Sequence, residues 1–582
     1  MLIYMSSFVK PRPRRGAEEI EFRTEKNYNW VVSKKIIFFF ILLALAIRLF
    51  PGPDKFIFTY DQARDAFISR QIIENRDLKI IGPPAAVSLE ITGAFHGPLY
   101  YYLISPFYVF SRGNPNAVLF LTILINSLTL IPLAFLVQKL FSNKWVTILS
   151  LTLFIFSFEQ HSYARWLSNP GPAVFFLVLF QLGLWLILEN HKNSWGWFLT
   201  PLGLSLAIQH QFFLLFALPI SIFIILLFGK FPKNLKPYLI STTTLLVGLA
   251  TFIVAELKFK FPTTKGLFLS LIADFISSPK STTQFLSYFL NRFSETLMNN
   301  TLNLNQAAAF CFFLFALAVI FHYWKNFSKT EKTAVLFLLL LILSQTILFL
   351  FSELKAYFIT LGMAVPIVVL ISFSMILLFK SQKLITLVLI IFMLLSNLFK
   401  IINLNQQTTP IFAVQKMMTL ASEKKVIDSC YRLVKNQPFS LNTVTNPLFI
   451  NTTWAYLFQS IALAKYGYLP SWSGIPQKDY LGEKVLPVEE EKTDLRILII
   501  EPKNGLPEIW IEASVEEENF QTRLIEEEKV GNFTVQLRQK LTAEESKKKQ
   551  NEIISLRKKP SDSLSVVERS MLHIYNLRRQ TK

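Results

Sequence analysis

Two carboxylates four residues apart are the first candidates for chemistry. Asp61 and Asp65 stand in Phe58–Ala66 (FTYDQARDA), and a helix starting there presents both to one side. A carboxylate so placed can take the proton of an attacking hydroxyl or amine. Asp61 can equally act as the N-cap of the amphipathic run that follows (AFISRQIIE). Asp65 is open between orienting that base, binding an acceptor and holding structure, and Arg64 lies beside it. Elsewhere polar residues recur at the ends of apolar runs: His96 before the Gly97-Pro98 turn, then His161, Arg165 and Asn169, then Gln209, His210 and Gln211, then Glu256, then Glu353, Lys355 and Tyr357. Ionisable groups are expensive next to an apolar zone, so such a gathering reads as a functional site. The structural reading of each is a helix cap, a turn histidine or a contact with lipid headgroups.

The elements that must position these residues are membrane helices. Of 582 residues, 52% are hydrophobic, 17% are charged and 56 are Phe, and the mean hydropathy is +0.40. Soluble domains carry about 25% charged residues. This composition excludes a disordered chain, a disulfide scaffold and an ordinary cytosolic enzyme. The net charge of +20 is read as a positive-inside bias. Cys311 lies in an apolar run and Cys430 outside one, which argues against a bridge and leaves no cysteine metal cluster. Eleven segments read as spans: 36–51, 116–138, 145–160, 172–189, 196–210, 212–229, 238–256, 305–323, 333–351, 357–379 and 384–400. With the N-terminus inside, the other short inner loops hold eleven Lys residues, against Arg165 and Lys355 in the short outer loops. The first span is retained as a signal anchor. The stretch Pro98–Phe110 (PLYYYLISPFYVF) is too short to span and is read as a juxtamembrane or re-entrant helix on the outer side.

Three parts follow: a basic cytoplasmic leader (1–35), a membrane domain (36–400) with long outer loops at 52–115 and 257–304, and an extracytoplasmic domain (401–582). An amphipathic run at Gly266–Ile276 in the second loop is expected to lie on the membrane or pack on the bundle. The last part is expected to be α/β or α+β, with strands at Leu495–Ile500 and Phe533–Leu537 and helices over 411–435 and 452–464. Its aromatic stretch (Trp454, Tyr456, Tyr466, Tyr468, Trp472) suits either sugar binding or docking on the membrane part. The basic tail from Glu544 onward reads as mobile or loosely helical.

An acidic residue shortly after the first span, IGPP (Ile81–Pro84), GAFHGPLYYYL (Gly93–Leu103), SYARWLSNPGPAVFF (Ser162–Phe176) and SELKAYFITLGMAVP (Ser352–Pro366) together resemble the GT-C membrane glycosyltransferases. The narrower likeness is to the protein-mannosyltransferase-like group that includes the aminoarabinose and Rgt-type transferases. It covers residues 30–400. The resemblance implies a GT-C-like α-helical polytopic membrane protein that passes a sugar from a polyprenyl-phosphate donor to a lipid, glycan or protein acceptor on the outer face, with inversion. It makes Asp61 the general base. For that reaction the candidate substrate-binding residues read from the chain are Asp65, Arg64, His96, Tyr101, Arg165, Asn169, His210, Glu256, Lys355 and Tyr357, with Glu256 equally readable as a helix end. The leaving lipid phosphate calls for cationic or N–H donors, and Lys355 beside Tyr357 is the preferred one. Gln62 stands where many relatives have the second half of an Asp-Glu pair, so the role of Asp65 as second carboxylate stays open. No metal-ligand spacing is present; a divalent cation on Asp61, Asp65 and Glu256 remains an option that the spacing does not demand. Nucleic acid is not an expected partner. The alternative is a lipid-linked saccharide transporter, which would place polar residues through the bilayer midplane.

Overall fold

The computed structural model describes residues 32–84, 95–215, 222–224, 227–262, 264–265, 282–346, 357–407, 417–488 and 493–579. Helix α1 (Lys34–Leu49) starts where the Ser33 hydroxyl accepts from the Ile36 amide, and it stops before Pro51. The chain then folds into two short helices, α2 (Tyr60–Glu74) and α3 (Leu99–Phe110). The N-cap of α2 is Thr59, in a capping box with Gln62, so Asp61 is not needed as a cap. Helix α3 keeps Pro106 inside and buries Tyr100, Tyr101, Ile104 and Tyr108, one stripe at helical spacing, and it packs on α2.

The bundle continues through α4 (Pro115–Leu128), α5 (Leu130–Phe141), α6 (Lys144–Phe156), α7 (Phe158–Ala164), α8 (Pro170–Glu189) and α9 (Ser194–His210). It is completed by α10 (Lys236–Gly248), α11 (Ala250–Lys258), α12 (Thr282–Asn300), α13 (Gln306–His322), α14 (Lys329–Gln345), α15 (Ala364–Phe379) and α16 (Lys383–Gln407). Asn or Ser side chains cap the starts of α4, α6, α9, α13 and α14. Three stretches among the described residues are long and apolar enough to cross a membrane: Pro115–Phe141, Pro170–Glu189 and Lys383–Asn403. The pair α10–α11, bent by 55°, makes a fourth if taken as one span. Eleven therefore does not carry over as a count. Several apolar runs stop short of span length; α6 ends because Ser157 caps the new helix α7. Residues 216–221 and 225–226 of the segment 212–229, and the run 266–276, lie outside the described residues. Along α16, Leu384, Val388 and Phe399 are exposed, as side chains facing lipid would be.

The C-terminal part is a five-stranded mixed sheet in the order β2-β1-β3-β5-β4. Its strands are β1 (Phe439–Val444), β2 (Ser471–Trp472), β3 (Leu495–Ile500), β4 (Thr522–Val530) and β5 (Phe533–Lys540). β1 lies parallel to β2 and β3, while β5 is antiparallel to β3 and β4. Helices α17 (Leu420–Leu433), α18 (Thr452–Leu457), α19 (Leu463–Tyr466) and α20 (Glu508–Asn519) surround it. The tail forms two helices, α21 (Ala543–Lys558) and α22 (Val566–Arg579), rather than a loose segment. Ile553, Leu556, Met571, Ile574 and Tyr575 bury themselves with Ala513 and Phe520, and Arg578 pairs with Glu517 and Glu518.

Beside the clusters it holds alone, this sheet domain shares one core with the membrane-proximal loop. Trp454, Tyr456, Ile497 and Val535 belong to the same buried cluster as Phe58, Ala63, Tyr101 and Tyr108 of the loop that carries α2 and α3. The aromatic stretch is that seam. Trp454 and Tyr456 are fully buried, and the Tyr456 hydroxyl donates to the Gly113 carbonyl at 2.7 Å. Its ring meets Phe67 edge-on at 5.1 Å. Trp454 and Tyr456, so buried, fit docking, while Tyr466 and Tyr468 of the same stretch are only half-buried.

Candidate active site

Helix α2 puts its two carboxylates into different surroundings. Asp61 is in solvent, with 61% of its side chain exposed, while Asp65 is buried at 3%. Arg64 bridges them. Its Nη1 donates to Asp61 Oδ1 at 2.6 Å, and its Nε and Nη2 donate to Asp65 Oδ1 at 2.9 and 2.7 Å. The Tyr101 hydroxyl, reaching across from α3, donates to Asp65 as well. Burial pushes the Asp65 carboxyl up to about 6, against the opposing pull of Arg64. Burial draws Arg64 down, but Asp65 and then Asp61 outweigh it, so the guanidinium is held more firmly protonated than usual.

His96 comes to this cluster from a turn built by two close glycine contacts. The Gly82 amide donates to the His96 carbonyl at 2.9 Å, the His96 amide to the Pro83 carbonyl at 2.9 Å, and the Gly97 amide to the Gln209 carbonyl at 2.8 Å. A Cβ on Gly82 would lie 2.0 Å from the Gly97 carbonyl oxygen, and one on Gly97 would lie 1.6 Å from Gln209 Oε1. This is why IGPP and HGP carry glycine where they meet. The Phe212 amide donates to His96 Nδ1 at 3.0 Å, leaving Nε2 to carry the proton. Burial, with His210 and Arg64 adding to it, pushes the imidazole down to about 3. His96 is therefore a neutral N–H donor and not a cation. His210 stacks on Phe176 at 5.4 Å and meets Tyr100 edge-on at 6.2 Å. Neither of its ring nitrogens has a partner among the described residues.

The other expected residues have different employment. Arg165 gives its guanidinium to four backbone carbonyls after α1: Nη1 to Arg48 at 2.8 Å and Leu49 at 3.4 Å, Nη2 to Gly52 at 2.9 Å and Lys55 at 3.0 Å. With its donors so used it clamps a loop. The Asn169 amide donates to the His210 carbonyl and pins the start of α8 to the end of α9. Glu256 accepts from Thr264 through its amide at 3.2 Å and its hydroxyl at 2.8 Å. Lys355 and the Tyr357 side chain lie outside the described residues. The cation option on Asp61, Asp65 and Glu256 does not assemble, because the first two close on Arg64 and the third on Thr264. Among the described residues no three His, Cys, Asp or Glu side chains converge.

Two buried ionisable residues of the helical bundle escaped the sequence reading. Glu159 accepts from Asn300 Nδ2 at 2.8 Å, beside Ser157, Thr296 and Asn397 in a polar seam between α7, α12 and α16. Arg48 is fully buried near the end of α1 with its guanidinium 5.6 Å from the Phe154 ring. An acid or base inside an apolar run is the signal that marks both. Between α3, α9 and α10 lies an apolar groove of about 480 Å³, lined by Leu99, Tyr102, Phe198, Leu202 and Leu206 with Gln209 at one side. On α3, Tyr101 meets Asp65 and the next residue, Tyr102, lines this groove.

No protein-family model and no curated protein matches the chain. Among solved structures, the chain resembles ArnT from Cupriavidus metallidurans in the apo state. The match covers 86% of this chain and 98% of that one at 11% identity, with a TM-score of 0.52. The chain has the GT-C fold. Coverage of 86% of this chain means that the likeness extends beyond the motif-bearing residues 30–400. ArnT bound to undecaprenyl phosphate aligns over 87% of this chain and 98% of that one, at 9% identity and a TM-score of 0.48. Archaeoglobus fulgidus oligosaccharyltransferase AglB, with an inhibitory peptide and a dolichol phosphate, aligns over 84% and 73%, at 10% identity and a TM-score of 0.44.

Proposed function

We propose that this chain is an integral-membrane glycosyltransferase. It moves a sugar from a polyprenyl-phosphate donor to a cell-envelope acceptor at the outer face of the membrane, with Asp61 as general base. The observation that carries the reading is the exposed Asp61 carboxylate, held by Arg64 and the buried Asp65–Tyr101 pair, on a helix packed against the wall of an apolar groove. An acceptor hydroxyl attacks the anomeric carbon, its proton passes to Asp61, and the bond from that carbon to the phosphate oxygen breaks. Attack opposite the leaving group inverts the centre. The neutral His96 Nε2–H supplies a donor for the departing phosphate, and Lys355, outside the described residues, is the candidate cation that the sequence offers for it. Arg64 spends its donors on the two carboxylates, so it positions the base rather than binding phosphate. The groove by α3 suits a polyprenyl chain, and ArnT, whose fold this chain shares, is also known bound to undecaprenyl phosphate.

Purified protein offered radiolabelled polyprenyl-phosphate sugars and an envelope extract tests the reading, with Asp61→Asn beside the wild type. Transfer by the wild type and none by the variant is expected. Equal transfer by both would remove Asp61 from its role. The buried polar seam around Glu159 favours the transporter as second reading. Flipping of a labelled lipid-linked saccharide in liposomes without any transfer would favour it over the enzyme.

A further inference from the structure

A second groove, of about 450 Å³, runs along the other face of α2, between that helix and the turn at 480–485 of the sheet domain. Its walls differ in kind from those of the groove by α3. Arg70, Gln71, Glu74, Gln459, Tyr480 and Glu483 line it. Arg70 Nε donates to Glu74 at 2.9 Å, and neighbouring Lys484 offsets Glu483, so the site carries both signs in balance. Among the described residues, the side-chain amides of Gln71 and Gln459 have no hydrogen-bond partner. The turn is seated deliberately close: Gly482 takes φ +92°, and a Cβ there would stand 2.8 Å from Ala455 Cβ and 3.2 Å from the Phe67 ring.

The groove and Asp61 lie on the same helix. Tyr60, Arg64, Phe67, Gln71 and Glu74 recur at three and four residues, so one face of α2 connects its first turn to the groove. Tyr480, exposed on the far wall, is within electrostatic reach of Tyr60, the neighbour of Asp61. At 1.5 Å per residue, Phe67 to Glu74 lie about 9 to 20 Å along the axis from Asp61. A ligand filling the groove and reaching Asp61 is therefore extended. Pockets for apolar ligands have apolar walls with few polar groups. Here unspent amides and a balanced ion pair meet a partner that both donates and accepts at many points and carries no net charge, with one exposed phenol ring to lie against.

We propose that this groove binds the acceptor, and that the acceptor is an uncharged oligosaccharide chain whose terminal hydroxyl reaches Asp61. This deepens the glycosyltransferase reading and rests on it for the word acceptor. The test uses the full-length protein in detergent on an array of immobilised oligosaccharides of hexoses, pentoses and amino sugars. Wild type, Gln71→Ala, Tyr480→Ala and Tyr480→Trp are compared. Expected is retention of a set of neutral oligosaccharides by the wild type and by Tyr480→Trp, with about tenfold weaker binding by each Ala variant. Where transfer is measured, the acceptor concentration for half-maximal rate rises by the same factor. Wild-type protein that retains no oligosaccharide, or Ala variants that bind like the wild type, overturn the proposal. Groove-dependent glycan binding without sugar transfer from any donor would leave the groove assignment standing and sink the transferase reading instead.

Discussion

Asp61 and Asp65 are one helical turn apart, and each is made useful by what the other lacks. Asp61 faces solvent and can meet an acceptor; Asp65 is buried and anchors Arg64, which holds Asp61 in place. Removing the base should cost what general-base catalysis supplies, a hundredfold to ten-thousandfold or so in transfer rate. Asp61→Asn should show that loss with donor binding retained, measured as kcat against donor KM. Asp65 should act through pH. With its carboxyl raised to about 6, lowering the pH through that value neutralises it and loosens Arg64. Transfer should fall on the acid side with an inflection near there, and Asp65→Asn should lack that inflection while being slow throughout. For stability the sign is opposite. A raised folded value means that Asp65 contributes most below its ordinary value of 3.8 and loses that contribution as pH rises through about 6. The i, i+4 spacing made the pair legible in sequence. Which of the two would be buried was not legible, because burial is decided by Tyr101 on another helix.

At the scale of elements, the turn carrying His96 depends on two backbones touching. Gly82→Ala puts a Cβ 2.0 Å from the Gly97 carbonyl, where no flexible side chain can give way. Overpacking of this sort costs about 1–3 kcal/mol. The variant should melt lower than wild type and transfer more slowly, as a displaced His96 would require. Arg165 makes a different prediction from its headgroup reading. Its guanidinium joins carbonyls of Arg48, Leu49, Gly52 and Lys55, and charge-assisted bonds are worth about 1.5–3 kcal/mol each. Arg165→Ala should destabilise strongly in a thermal-unfolding assay, and Arg165→Lys should recover little, because an ammonium cannot reproduce the planar fork. A melting temperature unchanged in both would refute the clamp. The bounds of α3 and β3, and the start of β5, could be read from the chain, since periodicity and turn residues are local. The partners of Arg165 and Asn169 could not, because nothing in a sequence says which distant carbonyl a side chain will meet. The tail was legible as mobile or loosely helical but its packing was not: its few apolar residues are thinly spread, and Ala513, Phe520 and Trp510 from elsewhere complete their core.

For the molecule as a whole, the decisive fact is that the membrane-proximal loop and the sheet domain share one core. Composition changes after residue 400, and that change suggested a separate unit. Yet Tyr456 lies against Phe58, Phe67 and Tyr108 at 5.6, 5.1 and 6.2 Å, and its hydroxyl is bonded to Gly113. A shift in composition marks where the solvent changes; it says nothing about which surfaces face each other. If the seam sets the orientation of α2, then Tyr456→Ala should loosen that helix from the sheet-domain side of the contact. The buried ring and its hydrogen bond are worth about 3–5 kcal/mol. Amide exchange along Asp61–Ile72 should quicken and transfer should fall. Tyr575→Ala, in the separate cluster under the tail helices, supplies the contrast. It should lower stability within the sheet domain while leaving exchange in α2 as in the wild type. Equal quickening of α2 by both substitutions would mean that the domain acts only through global stability. Quickening by Tyr456→Ala alone would mean that the sheet domain holds one wall of the site in register, which is what a groove built half from each part requires.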